Sequence, residues 1–172
     1  MLRVTDIAVV QPASRSTAKS LTLTGPVSFT VADGEIFGLV GESGSGKSMA
    51  ALALMQLAPR GFKVAGHADL DGTDLVAASE RKIRRIRGRD ISMVFQEPMS
   101  ALNPVFTLQA QLVSAIRAHK PISRKDAQTR AVELLRMVGI PDPETRVGYY
   151  PHQLSGGMCQ RAMIAMALAL DP

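Results

Sequence analysis

The chain has 172 residues, of which 46% are hydrophobic, and its 20 basic against 15 acidic residues give a net charge of +5. This composition predicts a globular chain with a real core and suits anionic ligands without choosing among them. A single cysteine, Cys159, excludes an internal disulfide and, with no signal-peptide pattern at the N-terminus, favours a reducing cytosol. No apolar run approaches the roughly 20 residues of a membrane span, so we expect any membrane association to depend on a partner.

Alternating and β-branched residues predict two strands at the N-terminus, 2–10 and 21–31, the second broken at Gly25 and Pro26. The unbroken apolar run Ile36 to Val40 predicts a strand buried on both faces. After a glycine-rich stretch, residues 47–58 are apolar nearly all round, which predicts a buried helix that stops before Pro59.

Further along the chain, Asp71 and Gly72 predict the turn of a hairpin. A helix is expected over residues 79–87, and a further strand over 90–96. Apolar residues at helical spacing predict a helix around 108–116, and Ser123 with Asp126 predicts the capped start of a second helix. The last helix is expected from about Met158 to Leu170.

The segment between the buried strand and its helix matches the phosphate-loop pattern G-x-x-x-x-G-K-[ST] at Gly41, Gly46, Lys47 and Ser48. Glycines allow backbone N–H groups to approach phosphate oxygens, and the following helix directs the positive end of its dipole to the same place. Lys47 can reach the β- and γ-phosphates, and Ser48 can bind magnesium. The alternative is a glycine-rich surface turn. The predicted nucleotide-binding residues here are Gly41, Glu42, Ser43, Gly44, Ser45, Gly46, Lys47, Ser48 and Met49.

A second stretch, Ser155, Gly156 and Gly157, directly precedes the last helix and forms another helix N-terminus suited to an anion. Taken alone, these residues favour an ordinary serine cap followed by flexible glycines. Their function therefore depends on the sequence around them.

Three stretches together resemble the ATP-binding subunits of ABC transporters. GESGSGKS at 41–48 is similar to their Walker A loop, FQEP at 95–98 to their Q-loop, and LSGGMCQR at 154–161 to their signature motif, in the same order and separation. The sequences FQEPMSALNPVFT and YPHQLSGGMCQRAMIAMAL look most like the ATPases of importers for dipeptides, oligopeptides or nickel.

The resemblance implies an α/β fold, with a P-loop NTPase (RecA-like) core, a small antiparallel β-subdomain and an inserted α-helical subdomain. Residues 1–96 would form the nucleotide-binding core with the β-subdomain and Walker A loop. Residues 97–153 would form the helical subdomain, and 154–172 the signature motif and a helix that returns to the core. The core is expected to be incomplete at the C-terminus.

The resemblance also implies a mechanism in which two ATP molecules, with magnesium, lie in a head-to-tail dimer of ATP-binding subunits. Lys47 and Gln96 would act in catalysis, with Gln96 and Ser48 near magnesium, while Ser155, Gly156 and Gly157 would approach the ATP of the other subunit. Residues 97–105 would face a membrane permease at the cytoplasmic face of the inner membrane. An extracytoplasmic substrate-binding protein would take part indirectly, and no nucleic acid is expected.

The sequence departs from the family pattern in two places. The family continues past the signature helix into a strand with catalytic carboxylates, whereas we interpret Asp171 and Pro172 as the end of that helix. We therefore expect a chain truncated before the Walker B motif, which binds nucleotide but hydrolyses it poorly, with uncovered apolar surface and poor solubility or dependence on a partner. Residues 1–28 also contain no aromatic residue to stack on adenine, so weak base selectivity is expected.

Two other functions stay open at this point. The basic segment Arg81 to Arg89 suggests a soluble ABC ATPase acting on nucleic acid or ribosomes, although Ile83 and Ile86 favour a solvated amphipathic helix. The third possibility is a non-hydrolysing remnant that only binds nucleotide. The three histidines show no metal-ligand spacing, and Cys159 is interpreted as a packing residue.

Overall fold

The computed structural model describes residues 1–13 and 20–172. The chain divides into two compact units, Met1–Arg84 and Arg85–Pro172. The first unit holds the described strands and the second is helical.

The first unit is built on a four-stranded antiparallel sheet with the order β2-β1-β3-β4. Both N-terminal strands and the hairpin are thereby confirmed. The hairpin turns at Asp71 and Gly72, whose φ angles of 48° and 81° are those of a type I′ turn. The strands are β1 Leu2–Gln11, β2 Leu21–Val31, β3 Lys63–Leu70 and β4 Thr73–Asp74.

The predicted break at Gly25 and Pro26 is wrong, because β2 runs through both residues. β2 is an edge strand and is hydrogen-bonded to β1 on one side only. A proline is tolerated there, because no strand on the other side needs its missing N–H. The register instead absorbs the two residues as a bulge, since Ile7 pairs with Val27 and Val9 with Thr24.

Helix α1, Lys47–Leu54, follows the phosphate-loop motif, as predicted, but ends four residues early. Gln56 has a φ of 51°, which terminates the helix. Its Nε2 donates to the carbonyls of Leu75 at 2.7 Å and Ala78 at 2.8 Å. The hydrogen bonds of one amide side chain to a later loop therefore set the end of α1.

The predicted strands 36–40 and 90–96 are both wrong, because neither segment is a strand in the structure. Ile36 is 99% and Val40 93% exposed, and in the second segment Ile91 makes only an isolated bridge with Arg87. An apolar run becomes a strand only where a neighbouring strand accepts its backbone hydrogen bonds. The four described strands all belong to the antiparallel sheet, so neither segment has such a neighbour among the described residues.

The second unit packs its helices around one core. The predicted helices are confirmed. The first buries Leu108, Leu112 and Ile116, and the following helix buries Ala127, Ala131, Leu134 and Leu135. The last helix begins at Gly156 and ends at Ala167, two to three residues before the predicted bounds. After α2, Glu80–Ile86, the helices are α3 Pro98–Ala101, α4 Leu108–Arg117, α5 Arg124–Met137, α6 Pro143–Arg146 and α7 Gly156–Ala167, with a 3₁₀ turn at Pro151–Gln153.

Candidate functional site

The glycine-rich loop lies at the N-terminus of α1, as the motif requires. Gly46 is the N-cap of α1 with a φ of 89°, and Gly44 has a φ of 80°. Left-handed glycines within a tight loop let successive backbone N–H groups point to the same side. This is the geometry of an anion-binding nest. The helix behind the loop adds the positive end of its dipole.

The loop packs directly against the edge strand β2. A Cβ added to Gly46 would lie 2.7 Å from the carbonyl oxygen of Leu23 and 2.7 Å from Cβ of Thr24. Both contacts are closer than real Cβ atoms make, and the first is to backbone, so position 46 admits only glycine. Thr24 is 3% exposed and anchors the strand at this contact.

The ammonium of Lys47 is held over its own loop. Nζ donates to the carbonyl oxygens of Gly41 at 2.8 Å and Glu42 at 2.6 Å, and to Oγ of Ser45 at 3.3 Å. These oxygens hold the cation at the mouth of the loop, where an anionic oxygen could replace them.

A cavity of about 260 Å³ opens at this loop. Ligand pockets usually measure roughly 300 to 1,000 Å³, so this one suits phosphate groups and the atoms next to them. The described residues contain no group of three or more His, Cys, Asp or Glu able to hold a metal ion. A hydroxyl such as that of Ser48 together with phosphate oxygens is the donor set that magnesium accepts without such a cage. The cavity is lined by Leu23, Gly44, Gly46, Lys47, Ser48 and Met49.

The second predicted anion site is an accessible helix N-terminus. Oγ of Ser155 accepts from the backbone N–H of Met158 at 3.3 Å, so the serine caps α7. Ser155, Gly156 and Gly157 are exposed, and a Cβ on either glycine would meet nothing within 4 Å. The end of the helix is therefore both capped and open to a ligand.

Gln96 is exposed and directly precedes the segment that leads into α3. Oγ of Ser100 donates to the carbonyl of Glu97 at 2.9 Å, and the amide of Gln111 donates to the carbonyls of Asn103 and Phe106. These bonds order residues 97–106, while Met99, Val105 and Phe106 remain 52 to 70% exposed. Gln96 and the glycine-rich loop belong to different units.

Two residues at the glycine-rich loop were not predicted from the sequence. Leu23 and Thr24 precede the motif by about twenty residues, and nothing in their local sequence indicates contact with the loop. Only the path of β2 brings them to Gly46.

The hairpin forms another contact that sequence spacing did not indicate. Nδ1 of His67 lies 3.0 Å from Oδ2 of Asp74. This hydrogen bond, with those from the backbone N–H groups of Ala77 and Val76, holds the pKa of Asp74 below its ordinary value despite partial burial. It is a pair and not a metal cage.

Cys159 is buried, and its Sγ lies 3.4 Å from the carbonyl oxygen of Pro151. Burial raises the pKa of the Cys159 thiol, which disfavours the reactive thiolate. The prediction of a packing residue is confirmed.

The basic segment forms an amphipathic helix. Ile83 and Ile86 are 0% and 4% exposed, whereas the neighbouring cations face solvent. Arg84 pairs with Glu80 at 2.9 Å, and Arg89 binds both carboxylate oxygens of Asp90, which lowers the pKa of Asp90. These pairings favour the solvated-helix interpretation over a nucleic-acid surface.

A larger open cavity of about 620 Å³ lies between α4 and the start of α5, with Arg117 and Arg124 among its walls. No residue predicted to bind nucleotide lines it. We therefore assign the candidate site to the smaller cavity, where the chemistry of the motif is present.

The sequence model of the ABC transporter family matches residues 24–172. A Brucella abortus protein, provisionally named as a peptide import ATP-binding protein, is 49% identical over 98% of this chain and 52% of its own length. The dipeptide transport ATP-binding protein DppD of Haemophilus influenzae is 47% identical over 85% of this chain and 44% of its own. The chain thus spans about half the length of these curated relatives.

The fold is also similar to that of solved ATP-binding cassettes. A dimeric, post-hydrolysis structure of the cassette MJ0796 bound to ADP and Pi has a TM-score of 0.83 and 26% identity, covering all of this chain and 71% of that one. This similarity confirms the predicted fold class. Among the described helices of the present chain, none is long and apolar enough to cross a membrane.

Proposed function

Because the chain belongs to the ABC transporter family, we propose that it is the ATP-binding, energy-coupling subunit of a peptide importer. The names of relatives that are 47 to 49% identical support a peptide substrate. The observation that carries the proposal is the loop at the start of α1, with Gly44 and Gly46 at positive φ and the Lys47 ammonium at its mouth. The sequence also resembles the ATPases of nickel importers. Transport assays with peptides and with nickel would distinguish the two substrates.

In this proposal the loop residues 41–49 hold the phosphates of ATP. The Lys47 ammonium exchanges the carbonyls of Gly41 and Glu42 for phosphate oxygens, which are stronger acceptors because they are charged. Ser48 and Gln96 are the residues that would hold magnesium, and the ion would supply neutralisation of phosphate charge when bound. Gln96 orients the attacking water through its amide.

We also propose that Ser155, Gly156 and Gly157 complete the site of a second ATP-binding subunit in a head-to-tail dimer. The exposure of these residues at a capped helix end supports an anion that arrives on another molecule. The dimeric form of the MJ0796 structure is consistent with such an arrangement.

The exposed apolar side chains of Met99 and Val105 support a docking segment, 97–105, for a membrane permease. The protein would then act at the cytoplasmic face of the inner membrane, with a substrate-binding protein involved only through the permease. The assignment of 1–96, 97–153 and 154–172 to core, helical subdomain and signature region belongs to the same proposal.

Slow turnover is expected from the 172-residue chain on its own. Asp171, the carboxylate that follows α7, accepts hydrogen bonds from Lys120 at 3.3 Å and Arg130 at 3.1 Å. Both carboxylate oxygens of Asp171 are thus engaged by cations within the helical unit and not directed at a water molecule. Steady ATP turnover that Lys47→Ala abolishes would contradict this expectation.

The test is calorimetric titration of Mg-ATP into the chain and two variants. We expect Lys47→Ala to weaken binding roughly 10- to 100-fold, because a hydrogen bond to a charged group is lost. Lys125→Ala, at an exposed position of α5, is the matched control and should bind as the unchanged protein does. Equal affinities in all three proteins would refute the proposed site.

A further inference from the structure

We propose that the outer side of helix α2 binds the anionic headgroups of a phospholipid bilayer. The surface consists of four cationic side chains and is called the basic face: Arg81, Lys82, Arg84 and Arg85. The choice of a bilayer over other polyanions rests on the proposed function, which places the chain at a membrane. The charge and the geometry of the face do not depend on that function.

The positive charge of the chain is concentrated in the segment that contains α2. Residues 80–90 have six basic and two acidic side chains, which gives this segment a net charge of +4, whereas the whole chain has +5. Clusters of about four to eight Lys and Arg residues on an amphipathic helix are typical of segments that bind anionic lipids. One short segment therefore carries nearly all of the excess charge.

The side chains of α2 are divided between two opposite sides of the helix. Ile83 and Ile86 are 0% and 4% exposed, so one side packs against the protein. Successive residues of an α-helix are rotated by about 100°, which puts Arg81 and Arg85 on the opposite side, one turn apart. Both are exposed, as are the other two members of the basic face. The cations therefore form one outward surface.

Three of the four cations are available to an external anion. Arg84 is paired with Glu80 at 2.9 Å. The charged groups of Arg81, Lys82 and Arg85, in contrast, have no ion-pair partner among the residues that the structure describes. Such cations are surrounded by water, which the phosphate oxygens of headgroups can replace as charged acceptors.

The burial of Ile83 and Ile86 decides the mode of binding. Amphipathic helices that lie in a bilayer insert their apolar side below the headgroups, whereas α2 packs that side against the protein. Contact with a bilayer is therefore electrostatic, and each unpaired cation should strengthen it about fivefold. Such contact weakens as added salt screens the charges.

A nucleic acid offers phosphates too, but the segment lacks the aromatic side chains that stack on bases. Residues 79–90 contain no aromatic residue, and stacking on such residues is the usual contact of proteins with single strands. A surface made only of cations suits a layer of headgroups. The observations therefore favour the bilayer, and binding of a nucleic acid instead would contradict the proposal.

The experiment measures co-sedimentation of the 172-residue chain with vesicles in the absence of nucleotide. The vesicles contain phosphatidylcholine alone, or phosphatidylcholine with phosphatidylglycerol as the anionic lipid. Salt is varied between about 0.05 M and about 0.5 M, which shortens the range of the charges roughly threefold. We expect binding to the anionic vesicles alone, and a loss of roughly tenfold or more at the higher salt concentration.

The diagnostic variant combines Arg81→Gln, Lys82→Gln and Arg85→Gln. It should bind the anionic vesicles roughly 100-fold more weakly than the unchanged chain, because three unpaired cations are lost. A variant that keeps the charge, Arg81→Lys with Arg85→Lys, should bind as the unchanged chain does.

The matched control removes the same amount of charge from exposed positions of α4 and α5: Arg117→Gln, Arg124→Gln and Lys125→Gln. Its vesicle binding should weaken by less than about threefold, because these cations lie outside the basic face. All substituted side chains are exposed, so urea unfolding midpoints should be the same for every variant.

Three results would overturn the inference. The first is an equal loss of vesicle binding in the diagnostic and control variants. The second is binding that depends neither on salt nor on phosphatidylglycerol. The third is a chain that binds an RNA or DNA oligonucleotide through the basic face and does not bind vesicles.

Calorimetric titration with Mg-ATP separates this inference from the proposed function. Binding of Mg-ATP without binding of anionic vesicles would overturn the inference alone. Binding of vesicles without Mg-ATP would overturn the proposed nucleotide site alone.

Discussion

Lys47 illustrates at the residue scale how the loop is prepared for an anion. Its ammonium has three oxygen partners in its own loop, two of them backbone carbonyls. These bonds hold a long, flexible side chain in one place, so ordering it on ligand binding costs less free energy. The residue that carries the positive charge is therefore positioned by the loop that it serves.

At the same scale, the pair His67 and Asp74 predicts a pH-dependent stability. The pKa of Asp74 is lowered in the folded state, so its stabilisation is complete above its ordinary pKa of about 3.9. It is lost as the pH falls through the lower folded value. We expect Asp74→Asn to lower the free energy of unfolding at pH 7 by less than about 1 kcal/mol, because the carboxylate is one-third exposed.

The measurement is urea denaturation at pH 7 and at pH 3. The asparagine retains an Oδ1 able to accept from Val76 and Ala77, as Asp74 does at 2.9 and 3.2 Å, so the change is confined to the charge and to the atom that faces Nδ1 of His67. The difference between the two proteins should shrink at pH 3. An equal difference at both pH values would contradict the role of the charge.

At the element scale, the starts of α4 and α5 followed local sequence, whereas strand partners did not. Oγ of Ser123 accepts from the N–H of Asp126 at 3.1 Å, and Oγ of Thr107 from that of Ala110 at 3.2 Å. Each cap is an interaction across three residues. The sheet depends on contacts between distant residues, such as the pairing of β1 with β3.

Where β1 and β3 pair, position 66 tolerates no side chain. Gly66 has a φ of 91°, and an added Cβ would lie 2.3 Å from the carbonyl oxygen of Asp6 and 2.6 Å from that of Thr5. Both are backbone atoms in a bulged part of β1, so they cannot move aside as a side chain would. We expect Gly66→Ala to lower the free energy of unfolding by more than about 2 kcal/mol.

Thermal or urea unfolding of the variant checks this expectation. The matched control is Gly25→Ala in β2, where an added Cβ meets nothing within 4 Å. Unfolding midpoints that are the same for both variants would contradict the close approach of β1 and β3.

At the scale of the whole molecule, each unit leaves apolar side chains exposed to solvent. Ile36 and Val40 are almost fully exposed in the first unit, and Val94 and Phe95 are 45% and 41% exposed in the second. Monomeric soluble proteins rarely expose contiguous apolar segments of this kind. Dependence on a partner or poor solubility stays a prediction, which the exposure of these side chains supports.

This surface predicts the behaviour of a double variant, Ile36→Thr with Val40→Thr. Hydrophobic-dye fluorescence and self-association measured by sedimentation should both fall, because exposed apolar area is removed. The free energy of unfolding should change by no more than about 0.5 kcal/mol, since neither side chain is packed. Leu134→Ala, in the core of the second unit, should instead destabilise by about 2 to 5 kcal/mol.

A rise in unfolding temperature with no change in dye binding would contradict the exposure of residues 36 and 40. A loss of stability in the double variant comparable to that of Leu134→Ala would do the same.

The sequence by itself determined the features that depend on neighbouring residues. The phosphate-loop motif was read from spacing alone, and the structure places Gly46 and Lys47 at the start of α1. The caps at Ser123 and Ser155 and the turn at Asp71 and Gly72 were predicted for the same reason. Each is an interaction over a few residues, so the local order of side chains specifies it.

Tertiary structure alone decided the features that need distant partners. It left 36–40 unpaired although the segment has the composition of a buried strand, because a strand exists only beside another. It ended α1 through the amide of Gln56, and it brought Leu23 to the phosphate loop through a bulge in β2. No window of sequence around these residues contains the partner, so chain topology had to supply it.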